Sequence, residues 1–364
     1  MAQEFLLYGS YGYTGSLIAQ QAVDRDLTPV LAGRHAEKVE AQATDLGLAH
    51  RTFSLEQPTV VTSMVEQFDA VLNCAGPFSR TAHPLIDACL AAGTDYLDIT
   101  GEVTVLEEIA DRDADATDAG TTLLPAVGFD VVPSDCLAVH LASQVADPTR
   151  LRLALHGLST FSPGTLKSVL QGATMPGAIR ENGVIRTVPA AWQSRAFTFP
   201  GSELVAITVP WGDVSTAYHS TGIPTIQTYA TVPEFARWVL ERTRWLTPVV
   251  RAAPVQRALH ALIDATVSGP TAAEREQNVV RIVGEVETES GDGAAAELRT
   301  PDPYDTTAMT AVESVRRVLD DQVAVGFQTP GLAFGPDFVL EFPGVERRLF
   351  DEPGSERPPT AANP

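Results

Sequence analysis

Three glycines near the start carry the clearest chemistry in this chain. Gly9-Ser10-Tyr11-Gly12-Tyr13-Thr14-Gly15 repeats glycine every third position, directly after the apolar run Phe5-Leu6-Leu7-Tyr8. A diphosphate needs main-chain N–H groups at close range, and a Cβ at these positions would hold it away. A helix that starts at the last glycine adds the positive end of its dipole. Glycines alone mark any turn; a strand before them and a helix after them are what a dinucleotide-binding βαβ unit requires. Tyr11, Tyr13 and Thr14 stand between the glycines and belong to the same cradle.

The second strand bears on which nucleotide. NAD-binding units usually end it with a carboxylate for the ribose 2′-hydroxyl. Here Pro29-Val30-Leu31-Ala32 runs into Gly33-Arg34-His35 with no acid. The planar guanidinium of Arg34 matches a 2′-phosphate, so NADP(H) is the expected cofactor. An Arg34 that is solvated, or that stacks on adenine, leaves NAD open. Asn73, Cys74, Ala75, Gly76 and Pro77 close another strand, and ligands in doubly wound sheets bind at such carboxyl ends. They are expected along the ribose and nicotinamide side, an ordinary βα turn being the alternative.

Hydride transfer also needs an acid for the developing negative charge. Tyr96, Asp98, Glu102 and Asp130 are the candidates, all near strand ends. Asp98 and Glu102 suit equally well a structural role on backbone N–H groups around Gly101. Asp135 and Ser134 compete to cap the helix that follows them. His83, before Pro84, reads as a cap, a core histidine or an acid near Gly76. Cys74, Cys89 and Cys136 show no metal-ligand spacing, so no metal is expected and the thiols read as reduced.

The elements that must position these groups alternate. Strands are expected at 5–8, 29–32, 68–74, 95–99 and 121–126, and helices at 15–24, 82–92 and 103–118. That alternation predicts an α/β fold, an N-terminal Rossmann doubly wound parallel sheet over residues 1–130. After about residue 147 the pattern changes. Strands near 151–155, 204–209, 225–229 and 279–283, separated by Gly/Pro-rich loops, predict a second, more antiparallel α+β substrate or dimerisation domain over 131–324. Met309, Val312, Val315 and Leu319 recur at helical spacing and predict a helix over 307–321. Residues 351–364, rich in Pro and Glu, are expected to be a disordered tail.

The net charge of −21 disfavours nucleic acid. Of 25 basic residues only Lys38 and Lys167 are lysine. An acidic, lysine-poor surface is expected of a protein kept soluble in high salt, with GC-rich coding bias the plain alternative for the lysine loss. Nothing at the start reads as a signal peptide and no apolar run is long enough to span a bilayer, so a cytoplasmic protein is expected. Segment 231–263 is a local cationic island, with Arg237, Arg242, Arg244, Arg251 and Arg257 beside Trp238 and Trp245. Its composition suits an interfacial helix on anionic lipid. A helical hairpin on the substrate sheet, or a homodimer contact, accounts for it as well.

Several of these motifs together resemble the saccharopine dehydrogenase-like superfamily. They are Gly9-x-x-Gly12-x-x-Gly15, Ala32-Gly33-Arg34, Asn73 to Phe78, Tyr96-x-Asp98-x-x-Gly101-Glu102 and Gly128-Phe129-Asp130-x-x-Pro133-Ser134-Asp135. Pro210-Trp211-Gly212-Asp213, Ser220 to Pro224 and Gln328-Thr329-Pro330 with Ala333-Phe334-Gly335 favour the branch that includes the trans-acting enoyl reductases of lipid synthesis. The resemblance implies an NADP-binding domain, an α/β substrate domain and a return of residues 325–345 to the first domain. It also implies hydride reduction of a C=C or C=N bond. An NADPH-dependent reductase of a hydrophobic isoprenoid or acyl substrate is the leading reading. An amino-acid or imine reductase, which would want arginine clamps for carboxylates, and a non-catalytic cofactor-binding accessory protein are the alternatives.

Overall fold

The computed structural model describes residues 4–158, 162, 164, 176–232, 253–267 and 269–350. The first unit alternates as β1 Phe5–Tyr8, α1 Tyr13–Asp24, β2 Val30–Gly33, α2 Ala36–Leu46, β3 His50–Thr52, α3 Pro58–Val65, β4 Ala70–Asn73, α4 Phe78–Ala92, β5 Asp95–Asp98, α5 Val103–Ala110, α6 Asp113–Ala119 and β6 Thr122–Leu124. All six strands pair in parallel in the order β3-β2-β1-β4-β5-β6. Every residue of β1, β2 and β4 is buried, as expected for strands covered on both faces.

The sequence pattern holds no expectation for α2, β3 and α3, and two of its helices depart from it. Helix α4 begins at Phe78 rather than Ala82 and runs through Pro84. A proline biases the preceding residue away from helix. Burial of Ala82, Leu85, Ile86, Ala88 and Cys89 against the sheet outweighs that bias. The helix expected over 103–118 breaks at Asp111-Arg112, and α6 starts afresh with Asp113 and Asp115 in its first turn, where the helix dipole favours them.

The second unit opens with α7 Val132–Ala142 and β7 Arg150–His156, then β8 Gly177–Glu181, β9 Val184–Val188, β10 Ser194–Phe199, β11 Ser202–Thr208, α8 Asp213–Thr221 and β12 Thr225–Thr231. It continues with α9 Ala253–Thr266, α10 Ala272–Gln277, β13 Val280–Glu287 and β14 Gly293–Thr300. The chain ends with α11 Pro303–Leu319, β15 Gly326–Phe327, α12 Pro330–Phe334, a short 3-10 turn over Phe338–Glu341 and β16 Glu346–Leu349. The second sheet runs β10-β11-β12-β7-β13-β14-β16, with the β8–β9 hairpin attached to β12. Its pairs are antiparallel except β12 with β7.

Leu137 and Leu141 of α7 pack with Leu151, Leu153, Ile282 and Leu298 of this second sheet. Helix α11 crosses back: Ala308, Ala311 and Val315 share a core with Ile18 and Ala22 of α1. Strand β15 then extends the first sheet beside β6, and β16 rejoins the second. The two units are therefore stitched by chain crossings in both directions. Most of the cationic segment 231–263, residues 233–252, and the tail 351–364 lie outside the described residues. No helix among the described residues is long and apolar enough to cross a membrane.

Candidate functional site

Strands β1 and β4 are neighbours, and the strand order reverses between them. That switch point opens a crevice at the carboxyl ends of the strands, and the glycine turn sits there. Gly9 holds a positive φ of 83°, and a Cβ on it would come 2.8 Å from the Ala75 nitrogen. A Cβ on Gly15 would lie 2.9 Å from the Ser10 carbonyl oxygen and closer still to that of Gly9. Gly12 caps α1 without any side-chain hydrogen bond, so the first turn keeps its N–H groups free of side-chain partners. Gln42 of α2 supports the turn from below, donating to the Ser10 carbonyl at 2.9 Å. A cradle of this kind fits a diphosphate. Thr14 lies half-buried in the first turn of α1. Tyr13 is tied elsewhere: its hydroxyl donates to the Pro270 carbonyl (2.5 Å) and accepts from Arg275 (3.0 Å), with its ring edge-on to Tyr304. It joins the cradle to the second unit.

At the end of β2, the ring of Tyr11 lies over Gly33, whose missing Cβ leaves the space it fills. His35 meets that ring edge-on at 5.8 Å between centroids, and Lys38 Nζ lies 5.7 Å from its centre. Arg34 is exposed and has no ion-pair partner among the described residues. Two exposed cations and an aromatic face therefore stand where an adenosine and its 2′ substituent belong in this fold.

The loop after β4 is held from beneath. Asn73 is fully buried; its Oδ1 accepts from the Ala75 N–H (3.0 Å), and its Nδ2 donates to Thr81 Oγ1 and Tyr96 Oη, each at 3.2 Å. Tyr96 donates onward to Asp98 Oδ2 at 2.9 Å, while Asp98 Oδ1 accepts from the N–H groups of Thr100 and Ala126. Burial pushes the Asp98 carboxyl up to about 6, its hydrogen bonds opposing. Cys74, Ala75 and Pro77 are half-buried and Gly76 is exposed, with a cis Gly76–Pro77 bond leading into α4.

This arrangement favours structural roles for three of the candidate acids. Tyr96 and Asp98 have no exposed surface and spend their polar atoms on each other, on Asn73 and on backbone N–H groups. Glu102 accepts from the N–H groups of Phe78 (2.8 Å) and Ser79 (3.2 Å), so its carboxylate caps α4 from a neighbouring loop. His83 pairs with Glu108 on the outer surface, and Asp135 binds Ser220 and the Gly331 N–H, tying α7 to α8 and α12. Ser134 donates to buried Asp213.

Asp130 is different. It lies between β6 and α7, open to solvent, against Gly101, and it makes no hydrogen bond among the described residues. The protein crowded around its other sides pushes its carboxyl up to about 6. Gly212, opening α8 in the second unit, packs on Val131 and Gly101 beside it. A further bridge joins the units here. Glu107 Oε1 of α5 accepts from Arg180 Nη2 and Ser215 Oγ, each at 2.5 Å, with His219 Nε2 at 3.4 Å. Arg180 is almost wholly buried and stacks 4.2 Å from the centre of the Tyr218 ring.

Residues 5–124 match the model of the saccharopine dehydrogenase NADP binding domain. Over this first domain the chain is similar to the saccharopine dehydrogenase-like family. The trans-acting enoyl reductase of Mycobacterium ulcerans (strain Agy99) is 34% identical over 152 residues, 40% of this chain and 36% of that protein. The trans-acting enoyl reductase of Mycobacterium tuberculosis (strain ATCC 25618 / H37Rv) is 34% identical over 140 residues, 36% and 34% of the two lengths. The chain spans 34–43% of the length of the curated relatives it matches. Apo saccharopine dehydrogenase (L-Glu forming) from Saccharomyces cerevisiae superposes with a TM-score of 0.64 over 96% of this chain and 100% of that one. At 14% identity this is a likeness of fold, and it extends through both domains.

Sequence reasoning missed Lys38, Gln42 and the Glu107–Arg180–His219 bridge. Lys38 had a signal, as one of two lysines in an acidic chain. The others had none, because no motif joins residues as far apart as Glu107 and Arg180.

Proposed function

We propose that this saccharopine dehydrogenase-like chain is an NADP(H)-dependent oxidoreductase that reduces the C=C bond of a hydrophobic acyl or isoprenoid substrate. One observation carries the reading: an exposed carboxyl, Asp130, with no hydrogen-bond partner among the described residues, stands at the same carboxyl end of the sheet as a glycine cradle with no side-chain cap. Gly9, Gly12 and Gly15 would hold the diphosphate, Arg34 and Lys38 the 2′-phosphate, and the 74–77 loop the nicotinamide side. The nucleotide, when bound, supplies the hydride. Asp130 holds a proton on its carboxyl up to about pH 6 and delivers it to the substrate atom that gains negative charge. Glu102 keeps α4 in place and, by occupying its N-terminus, denies that site to a substrate anion.

The charge of the site bears on C=C against C=N. Arg180 and Arg275, described arginines at the junction of the two units, are engaged by Glu107 and Asp305. Neither is free to clamp the carboxylates of an amino-acid substrate. The names of the curated relatives favour the same choice. The test is titration with NADPH and NADH, followed by turnover on a panel of enones, enoyl thioesters, imines and ketones. NADPH binding with consumption on enones or enoyl thioesters is expected. Turnover of imines alone overturns the C=C reading, and binding without any turnover favours an accessory protein.

A further inference from the structure

Buried ionisable groups are costly, and a chain that keeps one at a strand end has a use for it. Asp98 sits fully buried beneath the switch point with a hydrogen-bonded path leading away from it. The path runs from Asp98 Oδ2 to Tyr96 Oη (2.9 Å), from Tyr96 Oη to Asn73 Nδ2 (3.2 Å), and from Asn73 Oδ1 to the Ala75 N–H (3.0 Å). It crosses from β5 to β4 and ends where Ala75 packs so close to Gly9 that no Cβ fits between them.

The path has a direction. Asn73 spends its carbonyl oxygen on Ala75, so it offers only N–H groups to Tyr96. The tyrosine oxygen accepts one of these and must give its own proton to something that carries none. Asp98 Oδ2 is that acceptor, and Oδ1 is occupied by the Thr100 and Ala126 amides. Asparagine at 98 would face Tyr96 with a second donor once its oxygen served those amides. The chain would then carry one proton too many, and the Asn73 amide would be free to turn.

We infer that Asp98 and Tyr96 are positioning residues for the nucleotide: through Asn73 they fix Ala75 against Gly9, and so fix the shape of the diphosphate cradle. The inference rests on the nucleotide-binding reading above. Neither residue touches the ligand; both act on it through the loop.

The experiment is a double-mutant cycle on the full chain, Tyr96→Phe, Asp98→Asn and the pair, read by NADPH affinity and by hydrogen exchange of the Ala75 amide in the free protein. Tyr96→Phe removes one oxygen and leaves the ring in its buried space, so it carries the test should Asp98→Asn fail to fold. Each single change is expected to weaken NADPH about tenfold, as loss of one hydrogen bond to a charged group does. The double variant is expected to be no weaker than either, because both cut one chain. Ala75 exchange should quicken in every variant. Affinity within twofold of the parent in Tyr96→Phe, with Ala75 exchange unchanged, overturns the inference, as do strictly additive losses. Should the parent bind no NADPH, the function proposed above fails on its own. Ala75 exchange in the free protein then still reports whether the relay holds the loop.

Discussion

Gly15→Ala is the sharpest perturbation of the cradle. The new methyl would lie 2.9 Å from the Ser10 carbonyl oxygen and nearer to that of Gly9, distances that real Cβ atoms essentially never show. Both neighbours are backbone, so no side chain can swing away. Helix α1 must back off the turn by roughly half an ångström or more in a tightly packed region. Overpacking of this kind costs about 1–3 kcal/mol of stability. The larger effect is on ligand. Each N–H bond to a charged phosphate is worth about 1.5–3 kcal/mol, and displacing one weakens binding about tenfold to a hundredfold. Gly12→Ala separates ligand from stability: its methyl would meet only the Gly9 carbonyl within the protein, at 3.3 Å, yet would stand in the cradle and should weaken NADPH as well. It should cost little stability. Titration by NADPH fluorescence, with thermal unfolding alongside, reads both quantities. A folded Gly15→Ala protein that binds NADPH within twofold of the parent would refute diphosphate binding at this turn.

Four further outcomes are expected. Arg34→Ala and Lys38→Ala should each weaken NADPH about tenfold while leaving NADH nearly unchanged, measured as a ratio of Kd values; equal losses for both nucleotides would remove the 2′-phosphate role. Asp130→Asn should lower turnover about a hundredfold or more and flatten its pH profile. The parent's Asp130, raised to about 6, is protonated below that pH and loses its proton as pH rises through it, so turnover should fall there. Arg180→Met strips half-buried Glu107 of its cation and should destabilise the protein by about 2 kcal/mol in chemical denaturation, with NADPH affinity unchanged. The net charge of −21 should raise the unfolding midpoint between low and molar KCl, and a flat response would remove the high-salt reading.

The first 125 residues were legible to an unusual degree because their information is local. Burial on both faces makes β1, β2 and β4 short apolar runs, and the turn after β1 needs glycine in part for local reasons, a positive φ at Gly9 and the approach of Gly15 to Gly9 and Ser10, although Gly9 also meets distant Ala75. Arg34 in place of an acid needed no partner to be read. Residues 233–252, with their arginines and tryptophans, lie outside the described structure, so the membrane and dimer readings of that segment stay as expectations from composition.

Roles within the site were not local. Asp98, Glu102 and Asp130 are the same kind of side chain at neighbouring strand ends, and nothing in their spacing separates them. Packing does: Asp98 lies between β4 and β6, Glu102 is drawn to the α4 amides, and Asp130 is left exposed with no hydrogen-bond partner among the described residues. In the same way the glycine turn leans on Pro270 through Tyr13, 257 residues along the chain, and α1 leans on α11. Backbone preference and hydrophobic period act over a few residues and are written in the chain. Accessibility, protonation and partnership depend on which distant segments close around a group, and those arise only when the two sheets are brought together.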